Sequence, residues 1–173
     1  MTRLSLFSFV IISVFIGACS HSPQRQQQQV QRYHQKIPSY SQSSPSSMRI
    51  HPARKNIVNV TKSTLGTPYK WGGNTRRGFD CSGLVKYVHK EALGVNVPRT
   101  AAKQRDSSST VSYSQLQPGD LLFFKTGRRT NHVGVYIGNR KFIHAPSRGK
   151  RVSVASMNSS YWRKNFVKFG TFF

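Results

Sequence analysis

Apolar positions follow a helical period in one part of the chain and a period of two in another. Ile57, Val58, Val60 and Leu65 predict a short helix ending at Gly66. Residues 67–79 read as a loop rich in glycine and aromatic side chains. A second helix is predicted from Cys81 to Leu93, with Leu84, Val85, Val88 and Leu93 inward and Gly94 as its stop. A third, short helix fits residues 100–106, with Thr100 as its N-cap. From Asp120 onward the alternation of strands takes over, at 121–125, 132–137, 141–145, 152–155 and 166–172. Helices first and strands after them predict an α+β fold, with the helices packed on an antiparallel sheet of about five strands.

The region before residue 54 has a different pattern. Arg3 is followed by an apolar stretch at 4–16 broken only by Ser5, Ser8 and Ser13. That suits a signal peptide and is short for a membrane-spanning helix, which needs ~20 residues. It ends in Ile16-Gly17-Ala18-Cys19, which resembles a bacterial lipoprotein processing site, and implies cleavage after residue 18 and lipidation of Cys19. Ser20 in place of aspartate after the cysteine resembles the default sorting to the outer membrane, hence a lipid-anchored protein on its periplasmic face. Residues 19–53 then read as a tether. Positions 20–52 hold eight Ser, eight Gln and four Pro, too little apolar surface to offset ordering entropy. The folded domain is expected over 54–173.

Composition narrows the chemistry. The 173 residues include 27 Lys+Arg and 4 Asp+Glu, for a net charge of +23. Asp80, Glu91, Asp106 and Asp120 are too few for carboxylate-rich calcium or magnesium cages. Two cysteines exclude a disulfide framework and a Cys-rich zinc site, and no metal or cofactor is expected. The basic excess persists within the domain, yet the residues are dispersed, no nucleic-acid motif is present, and the export signal separates the chain from chromosomal DNA. Stem-peptide carboxylates and anionic lipid head groups are the expected counter-surface.

If Cys19 is lipidated, Cys81 is a free thiol in an oxidising compartment. At a helix start, unpaired N–H groups and the positive dipole end would favour its thiolate. A nucleophile needs a base and an orienting group. His21, His34 and His51 fall before the domain, and His89, two turns from the thiol, reads as packing or surface. His132 and His144 fall on neighbouring strands around Gly138-Asn139-Arg140. A plain two-residue turn would put them on opposite faces. An odd-length loop or a bulge, pairing Gly134 with His144, would put them diagonally on one face, and this is the expectation.

Five segments carry a resemblance: Tyr69-Lys-Trp-Gly-Gly, Phe79-Asp-Cys-Ser-Gly-Leu, Gln117-Pro-Gly-Asp-Leu, Asn131-His-Val-Gly-Val-Tyr-Ile-Gly and Phe142-Ile-His-Ala. Together they resemble the NlpC family of papain-like cell-wall peptidases, most of all its short Spr-type murein endopeptidase lipoproteins, over about residue 55 to the C-terminus. The resemblance implies that Cys81 is the nucleophile, His132 the general base and acid, and His144 the residue orienting the imidazole. It places Tyr69 near the oxyanion and substrate, and Asp80 and Ser82 at positions that contact polar groups of the stem peptide. Asp80 can equally be an N-cap, and Ser82 shares that ambiguity. Trp71 reads as a wedge under the glycine loop and Asp120 as a turn acid. The implied reaction is hydrolysis of peptidoglycan stem peptides, at the D-alanyl–diaminopimelate crosslink or else the γ-D-glutamyl–diaminopimelate bond. A non-catalytic wall-binding lipoprotein and an acyltransferase or amidase on the same scaffold are the alternatives. The catalytic domain is expected to be monomeric, with a regulatory adaptor or protease as a further partner.

Overall fold

The computed structural model describes residues 51–127 and 131–173. The expected signal peptide, Cys19 and most of the expected tether lie outside the described residues. Helix α1 spans Pro52–Lys62 and starts earlier than the apolar pattern indicates. Its first turn carries no large apolar side chain, so only Pro52 near the N-terminus and the His51 cap mark it. Ile57 and Thr61 are its buried residues, whereas Leu65 beyond its end is exposed.

A two-stranded ribbon, β1 (Asn74–Thr75) and β2 (Gly78–Phe79), leads into helix α2 (Cys81–Leu93). Asp80 caps α2 by accepting the Gly83 N–H, and Gly94 ends it in the left-handed region at φ 70°. The loop before α2 lies directly on its first turn: a Cβ at Gly83 would collide with the Gly73 carbonyl. Helix α3 (Ala101–Ser107) follows, with Thr100 accepting the Lys103 N–H as expected.

The main sheet has six strands rather than about five. They are β3 (Ser109–Val111), β4 (Leu121–Lys125), β5 (Asn131–Gly138), β6 (Lys141–His144), β7 (Ser153–Ser156) and β8 (Phe166–Thr171), in the order β3-β8-β4-β5-β6-β7 and antiparallel throughout. The extra strand is the edge strand β3. It is polar and mostly exposed, so no alternation reveals it. A short helix α4 (Ser160–Asn165) precedes β8 and was likewise invisible to periodicity.

Both faces of the sheet are covered. Leu121, Phe123, Val133, Val135 and Ile143 join Ile57, Phe79, Leu84, Val85 and Val88 in the core under the helices. Leu122, Phe124, Phe142 and Phe169 form a smaller core on the other face, closed by Trp162 of α4 among others. This explains why β4 reads Leu-Leu-Phe-Phe, an unbroken apolar run. Asp120, fully buried at the entry to β4, accepts the Gln117 N–H at 2.8 Å and pairs with Arg54 of α1 at 2.6 Å. It is the turn acid expected, with a tie to the first helix added.

Candidate active site

The β5–β6 hairpin decides whether the two histidines meet. Asn139 and Arg140 form a two-residue turn with φ 52° and 55°, but a bulge at Ile137 breaks the register between Tyr136↔Phe142 and Gly138↔Lys141. Beyond the bulge Val135 opposes Ile143, so one step on His144 stands against Gly134 and diagonal to His132. This is the bulged alternative. The buried rings meet edge to face, with 2.8 Å between His132 Nε2 and His144 Nδ1. Gly134 leaves the space that permits this packing, since a Cβ there would lie 2.5 Å from the Phe142 ring.

Cys81 opens α2 and packs on the main core. Its sulfur lies within reach of the backbone N–H groups of Cys81, Ser82 and Val133, the last being the residue after His132. The thiol is thus held against the strand that carries His132. Burial nevertheless pushes the thiol up, with the Asp80 charge adding to it, and the three N–H groups only moderate the rise. The helix-start N–H groups do favour the thiolate, as the sequence suggests, but burial and the Asp80 charge outweigh them. His132 is pushed down to about 3 by burial and by His144, and His144 to about 4 by burial and by the Lys150 charge. Burial thus disfavours the charged forms of the thiol and of both imidazoles.

Tyr69 reaches the site because the loop is strapped to the turn before β7. Its N–H donates to the Lys150 carbonyl at 2.9 Å, and Val152 donates to the Thr67 carbonyl at 2.8 Å. Burial and then the negative forms of Cys81 and Asp80 raise the phenol, so it stays a donor. Tyr69, His132, His144, Lys150 and Trp162 line a cavity of about 560 Å³.

Asp80 and Ser82 sit beside the thiol but are engaged internally. The Asp80 carboxylate accepts from Gly83 N at 2.7 Å, Gly72 N at 3.0 Å and Ser82 Oγ at 3.2 Å. Arg99 closes on it with both terminal nitrogens, at 3.0 and 2.6 Å, and also donates to Ser82 Oγ at 3.0 Å. The N-cap reading of Asp80 is what the structure shows. A substrate group meeting either side chain would have to displace Arg99. Gln104 of α3 binds the Ser82 carbonyl at 3.0 Å and that of Pro98 at 2.7 Å, fixing the same turn from behind.

Two residues of this surrounding had no motif to announce them. Arg99 is distant in sequence from its partner, and Trp162 comes from the unexpected α4. The indole stacks on His132 at 5.4 Å with 25° between planes, and stands edge-on to His144 at 5.0 Å. Trp71, in contrast, is 82% exposed, so it is no wedge under the loop. It projects because the glycine loop packs on α2 through backbone, leaving no room beneath for an indole. His89 is buried, with Nδ1 on the Val85 carbonyl at 2.9 Å, a packing residue as expected. Among the described residues, no group of three or more His, Cys, Asp or Glu side chains gathers to hold a metal ion.

A cysteine at a helix start set against an antiparallel sheet that carries paired histidines is the architecture of the papain-like peptidase fold. The chain belongs to the NlpC/P60 family, whose sequence profile matches residues 66–171. It is 43% identical over 124 residues to murein DD-endopeptidase MepH of Escherichia coli K12, covering 68% of this chain and 45% of that protein. It is 39% identical over 113 residues to murein DD-endopeptidase MepS/murein LD-carboxypeptidase of the same organism, covering 65% of this chain and 60% of that one. The matches therefore span about half to three-fifths of those relatives. Among solved structures, an NlpC/P60 family protein from Bacillus cereus superposes with a TM-score of 0.65 at 32% identity, over 71% of this chain and 41% of that one. The NlpC/p60 domain of the peptidoglycan hydrolase SagA gives 0.60 at 32% identity, over 68% of this chain and 97% of that one.

Proposed function

We propose that this chain is a peptidoglycan hydrolase, a cysteine endopeptidase that cleaves the D-alanyl–diaminopimelate crosslink between stem peptides. The observation that carries the reading is the thiol of Cys81 beside the strand of His132, with His132 in turn bonded to His144. The names of the murein DD-endopeptidases it resembles support the substrate class.

For His132 Nδ1 to accept the thiol proton, Nε2 must carry hydrogen and donate to His144 Nδ1. His144 thus fixes the tautomer without adding charge. Because burial disfavours the charged thiolate and imidazolium, proton transfer accompanies attack of sulfur on the peptide carbonyl. The Asp80 cap takes the Gly83 N–H, and the Asp80 carbonyl takes that of Leu84. The N–H groups of Cys81 and Ser82 are the two left over in the first turn, and that of Cys81 serves the tetrahedral oxyanion, with the Tyr69 hydroxyl as a second donor. His132 then returns its proton to the leaving amine, and water resolves the acyl-enzyme with His132 again as base. Asp80, Ser82 and Arg99 keep the helix start in place.

The envelope setting belongs to the same proposal. Cys19 carries the lipid that anchors the chain to the outer membrane, and the tether at 19–53 lets the domain reach the wall. The test is incubation of the full chain, as wild type and Cys81→Ser, with purified crosslinked muropeptide dimers, the products being weighed by mass spectrometry. Monomers from wild type alone are expected. Intact crosslinks with a shortened stem would move the cleavage to the γ-D-glutamyl–diaminopimelate bond. Equal monomer release by the serine variant would overturn the nucleophile.

A further inference from the structure

The cleft has an uncompensated charge. Lys150 is the charged residue lining the cavity beside Tyr69, His132 and His144. Its backbone is held from both sides: its N–H donates to the Ser147 carbonyl at 3.1 Å, and its carbonyl accepts from Tyr69 at 2.9 Å. The ammonium is therefore carried by a fixed turn rather than a loose one. Its charge is felt at the histidine pair, where it lowers His144.

Every side-chain acid of the chain lies within the described residues, and none offsets Lys150. Asp80 is closed by Arg99, Asp120 by Arg54 and Asp106 by Arg105. Glu91 is exposed on α2 ten residues beyond Cys81, about 15 Å along the helix. The one carboxylate near the thiol, Asp80, is already neutralised by a two-pronged ion pair. The cleft is thus built to receive negative charge and has none free to offer a cation. A substrate ammonium would meet Lys150 without a compensating acid.

We propose that Lys150 is the receptor for a free carboxylate of the stem peptide, and that it makes the cleft select acidic wall peptides over their amidated forms. This rests on the endopeptidase reading and names the chemistry its substrate must carry. In the D-alanyl–diaminopimelate crosslink, the carbon bearing the scissile nitrogen also bears a carboxyl group, so the anion stands next to the bond to be cut. Amidation of that carboxyl leaves shape almost unchanged and removes the charge. Lys150 takes no part in bond making: it holds the carboxylate equally in the bound and transition states.

The test separates binding from cleavage. The full chain as Cys81→Ser is titrated calorimetrically with crosslinked dimers whose diaminopimelate carboxyl is free or amidated, alone and with Lys150→Gln or Lys150→Arg added. The free-acid dimer is expected to bind about tenfold tighter, as a charge-assisted contact supplies. The glutamine variant should abolish that preference and the arginine variant restore most of it. High salt should shrink it. In the active background Lys150→Gln should raise KM for the acid dimer with kcat nearly unchanged. If the preference survives Lys150→Gln, or never exists, the receptor is wrong. Wild type cleaving neither dimer would count against the endopeptidase reading instead, while the binding ratio still decides the role of Lys150.

Discussion

Replacing Trp162 with alanine removes one wall of the histidine pair. The indole stacks on His132 and stands edge-on to His144, and burial is the largest cause that holds both imidazoles below their ordinary value of 6.5. For His132 the descent to about 3 corresponds to roughly 5 kcal/mol of disfavoured protonation. The remaining walls, Phe124 and Phe142, stay in place. Trp162→Ala should therefore return about a third of the depression, raising the imidazole by about one pH unit, or about 1.4 kcal/mol. The assay is NMR titration of the imidazole carbon-bound protons in wild type, Trp162→Ala and Trp162→Phe, with kcat/KM on crosslinked dimers followed over the same pH range. A protonated His132 cannot accept the thiol proton, so activity is lost as pH falls through its folded value. The acid limb should lie near pH 3–4 in wild type, move up in the alanine variant and move least in the phenylalanine variant. An unchanged titration in Trp162→Ala, or a wild-type limb already near 6.5, would refute the claim that burial tunes this pair.

Four further outcomes follow from contacts described above. Asp80→Asn removes an N-cap charge and leaves Arg99 without its partner, so unfolding by urea should show a loss of about 2 kcal/mol, discounted for the partial exposure of Arg99. It also removes one of the two causes that raise the thiol, so alkylation of Cys81 should reach half-maximal rate at lower pH than in wild type. Buried His89, His132 and His144 are all lowered in the native state. The unfolded chain then binds more protons below pH 6.5, and stability should fall between pH 6.5 and 4 by up to about 1.4 kcal/mol per unit for each imidazole, measured by denaturant unfolding across that range. Gly134→Ala should cost about 1–3 kcal/mol and disturb the histidine pair through the Phe142 ring, seen as a lowered midpoint together with lost activity.

Much of the fold was legible where local rules act alone. The bounds of α2 follow from an aspartate cap, a 3.6-residue apolar stripe and a terminal glycine. The meeting of His132 with His144 could be reasoned from register parity, because a bulge is the only way a two-residue turn leaves both on one face. Elements held by tertiary contact were not legible. Strand β3 is three residues at a sheet edge, and its pairing with β8 joins segments some sixty residues apart. Helix α4 is too short to show a period, and its Trp162 owes its place to rings from β4, β5 and β6. Arg99 reaches Asp80 across a loop, a pairing that no spacing rule encodes. For the thiol, the contribution of the helix start was legible in sequence whereas the opposing burial was not.

The central claim is that Cys81, served by His132 and His144, forms the covalent bond to the substrate. Its most direct measurement is acid-quenched mass spectrometry of the full chain during turnover of a crosslinked dimer, followed by peptide mapping. An acyl adduct on the peptide containing Cys81 should be seen in wild type, be lost in Cys81→Ser, and form far more slowly in His132→Ala. Crosslink hydrolysis by Cys81→Ser, or an adduct mapping to any other residue, would contradict the account.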